Sequence, residues 1–236
     1  YMCCPADDDA AFLEYDLIAS AEYPSAVDWE AIEGSELYGG LDIGRKRDLT
    51  VLWILERLGD VLYTRAVIEL QNMRKSEQEA ILWPWLERCR RTAIDATGLG
   101  IGWADDAQDK FGEHVVEAVT FTPAVKEALA YPVRSKMEDR RLRIPNRPAI
   151  RADLRSVTKQ VTVAGNIRFT AERTPDGHAD RFWGLALAIH AASGPRGEVR
   201  ADVLDTPRGE PEALKGFSFG TGNHPSDMLE SFRSHG

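Results

Sequence analysis

Three aspartates stand where a carboxylate can do chemistry: Asp42, Asp95 and Asp180. Asp42 closes the apolar stretch Tyr38-Gly39-Gly40-Leu41 and precedes Ile43-Gly44, a charged turn Arg45-Lys46-Arg47-Asp48, and the run Thr50 to Leu55. That pattern predicts a β-hairpin opening a sheet. Side chains alternate along a strand, so Asp42 faces away from Ile43, and Gly44 lets the backbone turn or a ligand come close. Asp95 ends the short buried-type run Thr92-Ala93-Ile94 just before the loop Gly98-Leu99-Gly100, and Asp180 falls in the first turn of a helix predicted over 178–192. Carboxylates that converge from separate segments at neighbouring strand ends suit Mg²⁺ or Mn²⁺, hard cations that take oxygen ligands. Two such ions roughly 4 Å apart activate a water and stabilise the leaving oxygen of a phosphodiester.

Each acid also has a plainer reading. Asp42 could form an Asx turn, Asp95 could cap the helix after Gly100, and Asp180 could simply meet the dipole of its helix. Asp176 competes for the N-cap of that helix, and His178 reads either as a cap or as support for the site. Asp48 is a turn residue or a metal or water contact. Arg45, Lys46 and Arg47 either approach a scissile phosphate or make a solvated hairpin tip. What favours chemistry is that a carboxylate set in an apolar strand is costly unless it has a partner.

The elements that must position these residues are read from the periodicity. Strands are predicted over 36–43, 50–55 and 61–70 as an antiparallel meander, then a helix from Ser76, with Glu79 completing a capping box and Pro84 bending it or beginning a second segment. A strand ending at Asp95 is reached by that helical crossover, as in parallel pairing. A helix at 102–111, a strand at 115–121, a helical stretch over 123–140 interrupted at Tyr131-Pro132, an edge strand at 141–145, a helix at 148–156 and a hairpin at 157–171 precede the last helix. The class is α/β: a mixed sheet, antiparallel meander plus parallel strands, flanked by helices. Residues 1–36 read as an extension with at most a helical turn near 12–21. Residues 194–236 read as a flexible tail, with a last helix near 226–232.

Composition sets the limits. The chain has 236 residues, 43% hydrophobic and 28% charged, which suits one good-sized folded domain with extensions. Its three cysteines fit neither a disulfide framework nor a zinc spacing, so a reduced, cytoplasmic setting is expected, with no membrane segment. The net charge is −9, yet the segment from Lys126 to Lys159 holds ten Lys or Arg against four acids. Within it Arg134, Lys136, Arg140, Arg141 and Arg143 are candidate contacts for a DNA backbone, with a solvated helix face as the alternative. The pattern G-x-x-x-x-G-K-[ST] is missing, so the chain carries no P-loop.

Three segments taken in order, Leu41-Asp42-Ile43-Gly44-Arg45-Lys46-Arg47-Asp48-Leu49-Thr50, Ala93-Ile94-Asp95-Ala96-Thr97-Gly98-Leu99-Gly100 and His178-Ala179-Asp180-Arg181-Phe182-Trp183-Gly184-Leu185-Ala186-Leu187-Ala188, resemble the C-terminal nuclease domain of phage large terminase subunits, in the Mu-like branch. The resemblance covers about residues 37–193. It implies an RNase H-like fold and a metal-dependent endonuclease that uses two Mg²⁺ or Mn²⁺ ions to cut double-stranded viral DNA during packaging. It further implies a preceding ATPase domain joined through residues 1–36, with the portal protein and small terminase subunit as partners in the host cytoplasm. Carried over position by position, Asp42, Asp95 and Asp180 match the acidic ligands, and only His178 and Asp176 are available for the further acid or histidine the family often shows near the last one. Two other readings stay open. An actin-like or sugar-kinase ATP-binding half would need a second glycine-rich phosphate hairpin, which the sequence lacks, and a non-catalytic module docking on a portal or small subunit would bind no metal.

Overall fold

The structure is a computed structural model, and it describes residues 11–23, 36–44, 48–161, 165, 167–171 and 179–194. Arg45, Lys46, Arg47, Asp176, His178 and the tail from 195 onward, with its expected helix near 226–232, lie outside the described residues.

The apolar runs form the strands β1 (Glu22–Tyr23), β2 (Leu37–Asp42), β3 (Thr50–Leu58), β4 (Val61–Leu70), β5 (Arg91–Asp95), β6 (Val116–Val119) and β7 (Leu142–Pro145). They pair as one seven-stranded sheet in the order β1-β7-β4-β3-β2-β5-β6. β2, β3 and β4 make the antiparallel meander, while β5 joins β2, β6 joins β5 and β7 joins β4 in parallel. A separate hairpin, β8 (Val157–Val161) with β9 (Ile167–Ala171), stands beside it. The helices are α1 (Tyr15–Ala21), α2 (Lys75–Arg88), α3 (Ile101–Phe111), α4 (Pro123–Glu138), α5 (Pro148–Ser156) and α6 (Asp180–Ser193).

Strand register decides which side chains become neighbours. Asp42 lies opposite Val51 and Val51 opposite Glu69, so these three side chains share one face of the sheet. On the other side of β2, Leu41 pairs with Ile94, and one step further along that parallel ladder Asp42 comes beside Asp95. The central strands are buried on both faces. Tyr38, Trp53 and Ala93 belong to the core under α1, α4, α5 and α6, and Leu41, Leu52 and Ile94 to the core with Leu82 and Leu86 of α2 and Trp103 of α3.

Helix α6 lies directly on β2, and Gly40 allows it. A Cβ on Gly40 would stand 2.1 Å from the Ala188 nitrogen and 2.2 Å from the Gly184 oxygen. From Asp180 to Ala192 only His190 escapes burial, because α4 and α5 cover the side turned away from the sheet. The His190 ring instead meets Glu117 at 3.0 Å.

Several local expectations differ from the structure. Helix α4 runs unbroken through Pro132. A proline inside a helix costs about 3 kcal/mol, and the burial of Leu129, Ala130, Val133 and Met137 beside it offsets that. Helix α2 contains Pro84 and starts one residue before Ser76: Glu77 accepts from the Arg74 N–H at 3.0 Å, which takes the place of the expected Ser76–Glu79 box, and the Arg74 side chain, having no acceptor, returns no bond. Phe12, Leu13, Ile18 and Ala21 pack into the core, with the Phe12 N–H donated to the Val157 carbonyl at 2.8 Å and β1 added alongside β7. These contacts reach across more than a hundred residues of sequence, which periodicity within the segment cannot register.

Candidate metal centre

A cleft of about 680 Å³ opens where β2 and β5 end, and Asp42, Asp95 and Asp180 all line it. The sheet supplies the first two acids from adjacent parallel strands, and the start of α6 supplies the third. Asp48 lines the cleft as well. Gly44 lies close against Asp48 and Leu49, whose carbonyls a Cβ there would meet at 2.4 Å. The Leu49 N–H is donated to Asp180 Oδ2, 3.0 Å away.

Asp95 is held by its own loop, its Oδ1 accepting the Thr97 N–H at 2.9 Å. Thr97 Oγ1 in turn accepts from the Phe121 N–H at 2.9 Å, which ties the wall of the cleft to the end of β6. Asp42 is different. It is only 8% exposed, and among the described residues its carboxylate accepts no hydrogen bond. Burial raises its pKa well above the usual 3.8, and the charges of Asp180 and Asp95 raise it further, against the opposing effect of Lys126. Burial also raises Asp95, partly offset by the bonds from Thr97 and by Lys126.

A buried carboxylate with no donor, facing two more of the same charge, is the environment that a divalent cation relieves. The donor set is all oxygen, since no histidine or cysteine among the described residues lines the cleft. Such a set fits Mg²⁺ or Mn²⁺. Among the described residues no three acidic, His or Cys side chains are already closed into a metal cage. The aspartates stand around the cleft as mutually repelling charges.

Lys126, in the first turn of α4, is the cation of this cleft that local sequence did not single out. Its Nζ lies 4.4 Å from the Trp183 ring centroid and 5.2 Å from that of Phe121. Burial lowers its pKa, opposed by the charges of Asp42 and Asp95. No carboxylate among the described residues makes a direct ion pair with it. Arg168 on β9 also lines the cleft. Apart from Phe121, the groups around Lys126 (Trp183, Asp42 and Asp95) come from residues far along the chain, so only its place in the basic segment is visible in the sequence.

The other predicted basic residues lie elsewhere. Arg134 pairs with Glu138 at 2.8 Å and reaches the Phe12 carbonyl, Arg143 donates to the carbonyls of Arg140 and Leu142, and Arg141 stands 3.9 Å from Asp60. None of these, nor Lys136, lines the cleft. Beneath the rim lies a network that no sequence motif announces. Arg181 donates to Glu69 through Nε at 3.0 Å and Nη2 at 2.7 Å, and its backbone N–H to Asp153 Oδ2 at 3.0 Å.

Comparison with known proteins agrees with this architecture. The model of a family described as the terminase RNaseH-like domain matches residues 39–192. No curated protein sequence matches. Among solved structures, the large terminase nuclease of thermophilic phage G20c with bound magnesium is 24% identical, covering 66% of this chain and 82% of its own, at a TM-score of 0.56. The large terminase nuclease domain of Thermus phage P74-26 is 22% identical over 70% of this chain and 84% of its own, at 0.55. The large terminase of bacteriophage HK97 is 15% identical over 76% of this chain, at 0.58, and there the match spans 43% of the longer chain.

Proposed function

Because this chain belongs to the terminase RNaseH-like domain family, we propose that it is the divalent-metal-dependent endonuclease domain of a viral DNA-packaging terminase, cutting double-stranded DNA by phosphodiester hydrolysis. The observation that carries the reading is the buried, donor-free Asp42 carboxylate sharing one cleft with Asp95 and Asp180. These three would hold two Mg²⁺ or Mn²⁺ ions, and the Asp42 carboxylate feels the charge of both other acids. When bound, the ions supply an activated water and stabilise charge on the leaving oxygen. The G20c nuclease solved with bound magnesium supports the choice of ion.

The chain's own residues do the rest. Leu49 N–H and Thr97 N–H hold the Asp180 and Asp95 carboxylates in fixed orientations before any ligand arrives. Lys126, fixed against Trp183 and Phe121 with its N–H donors not engaged by a carboxylate, presents positive charge to the phosphate being cut. Asp48 stands as a supporting acid at the rim. A duplex reaches well past the cleft, and Arg134, Lys136, Arg140, Arg141 and Arg143 are assigned outer contacts with its backbone. The setting is a packaging motor in the host cytoplasm, with the portal protein and small terminase subunit as partners; no helix among the described residues is long and apolar enough to cross a membrane.

The test is nicking of supercoiled plasmid in Mn²⁺. The wild type is expected to cut, and Asp42→Asn to lose cutting while still binding plasmid in a gel-shift assay. Undiminished Mn²⁺-dependent nicking by Asp42→Asn removes the assignment.

A further inference from the structure

Among the described residues helix α6 begins without a cap from its own N-cap side chain. Ala179 precedes it in the left-handed region, at φ 61° and ψ 29°, and has no side chain to accept a helical N–H. A non-glycine residue keeps that conformation only where its surroundings enforce it. Asp180, in the first turn, accepts the Leu49 N–H at 3.0 Å and lines the cleft. The cap comes from another helix. Asp153 of α5 accepts the Arg181 N–H at 3.0 Å, the second N–H of α6, through the oxygen that also meets Arg181 Nη1 at 3.4 Å. From there the guanidinium grips both oxygens of Glu69 on β4, and Arg147 meets Glu69 from the rim at 3.2 Å.

This arrangement is poorly explained by stability alone. Arg181 and Asp153 are 6% and 5% exposed, and an apolar cluster of similar volume commonly stabilises a core as well as a buried ion pair does. What a two-pronged guanidinium adds is geometry. Its anchor, Glu69, sits in the cross-strand row Glu69, Val51, Asp42, so the start of α6 is tied to the same row that carries the first acid of the site.

We propose that Arg181 is a positioning residue: held between Asp153 and Glu69, it sets the first turn of α6 so that Asp180 serves the cleft. The inference rests on Asp180 being a cation ligand, as proposed above. It is tested in the whole chain with Arg181→Gln, Arg181→Lys and the milder Glu69→Gln, against Leu82→Ala, a core truncation on the opposite face of the sheet. Two readouts are taken: hydrogen exchange of the Leu49 amide in metal-free protein, and Mn²⁺ affinity by calorimetry. Arg181→Gln and Glu69→Gln are expected to speed Leu49 exchange about tenfold and to weaken Mn²⁺ binding about tenfold, the scale typical of groups that orient metal ligands. Arg181→Lys should recover part of both, and Leu82→Ala should leave both within about twofold despite a lower Tm. Wild-type values in folded Glu69→Gln and Arg181→Gln overturn the proposal, as does Leu82→Ala reproducing their losses. If the wild type takes up no Mn²⁺, the nuclease reading falls, and Leu49 exchange still decides whether the clamp orients Asp180.

Discussion

Asp42→Asn should change stability in opposite directions with and without metal. The folded protein holds the Asp42 pKa well above 3.8, through burial first and then the charges of Asp180 and Asp95. A raised carboxyl stabilises the fold fully only below its ordinary pKa, and that contribution is lost as pH rises through the folded-state value. As pH rises the metal-free wild type therefore loses stability at this buried carboxyl group, to which no described residue donates, and the isosteric amide, which does not ionise, removes that loss. Leaving such a group unpaired costs about 1–3 kcal/mol or more. A gain near 2 kcal/mol raises the Tm of a domain of this size by about 4–8 °C. The gain should shrink as pH falls toward the ordinary carboxyl range, where the wild type protonates Asp42 itself. Saturating Mn²⁺ reverses the order: at about a hundred times its Kd it stabilises the wild type by about 2.7 kcal/mol, and the variant hardly at all. Scanning calorimetry at pH 5 to 8, in EDTA and in Mn²⁺, tracks both effects. A variant less stable than wild type in EDTA at pH 8, or one stabilised equally by Mn²⁺, refutes the electrostatic reasoning.

Three further outcomes are expected. Lys126→Gln should lower kcat for plasmid cleavage roughly a hundredfold, as for loss of a donor aimed at developing charge, with Mn²⁺ affinity retained in calorimetry; an unchanged kcat would remove Lys126 from the phosphate. Gly40→Ala forces a methyl into the α6 backbone and should cost at least about 3 kcal/mol, read as a fall in urea midpoint. The Cys89 thiol, buried and pushed up to about 12, should resist iodoacetamide at pH 8 in the native protein and react once urea unfolds it, by mass spectrometry of its peptide.

The hairpin around Asp42, the strand ending at Asp95 and the helix carrying Asp180 were legible because each is written in a local pattern: alternation, a glycine turn, a helical period. So were the mixed sheet and its meander, since short turns force neighbouring strands to pair. Other features had no local signature. Pro132 looks like a break until the core that its helix neighbours bury is known. Lys126 is one lysine among ten basic residues until Trp183 and Phe121 close around it. Arg181, Glu69 and Asp153 lie on three elements up to 112 residues apart, and no spacing rule joins them.

Which acids sit at the ends of regular elements could be read along the chain, because backbone periodicity is set by residues a few positions away. That Asp42, Asp95 and Asp180 share a cleft could not. Their meeting depends on the parallel register of β2 with β5 and on α6 lying against Gly40, and both are fixed by packing between distant segments.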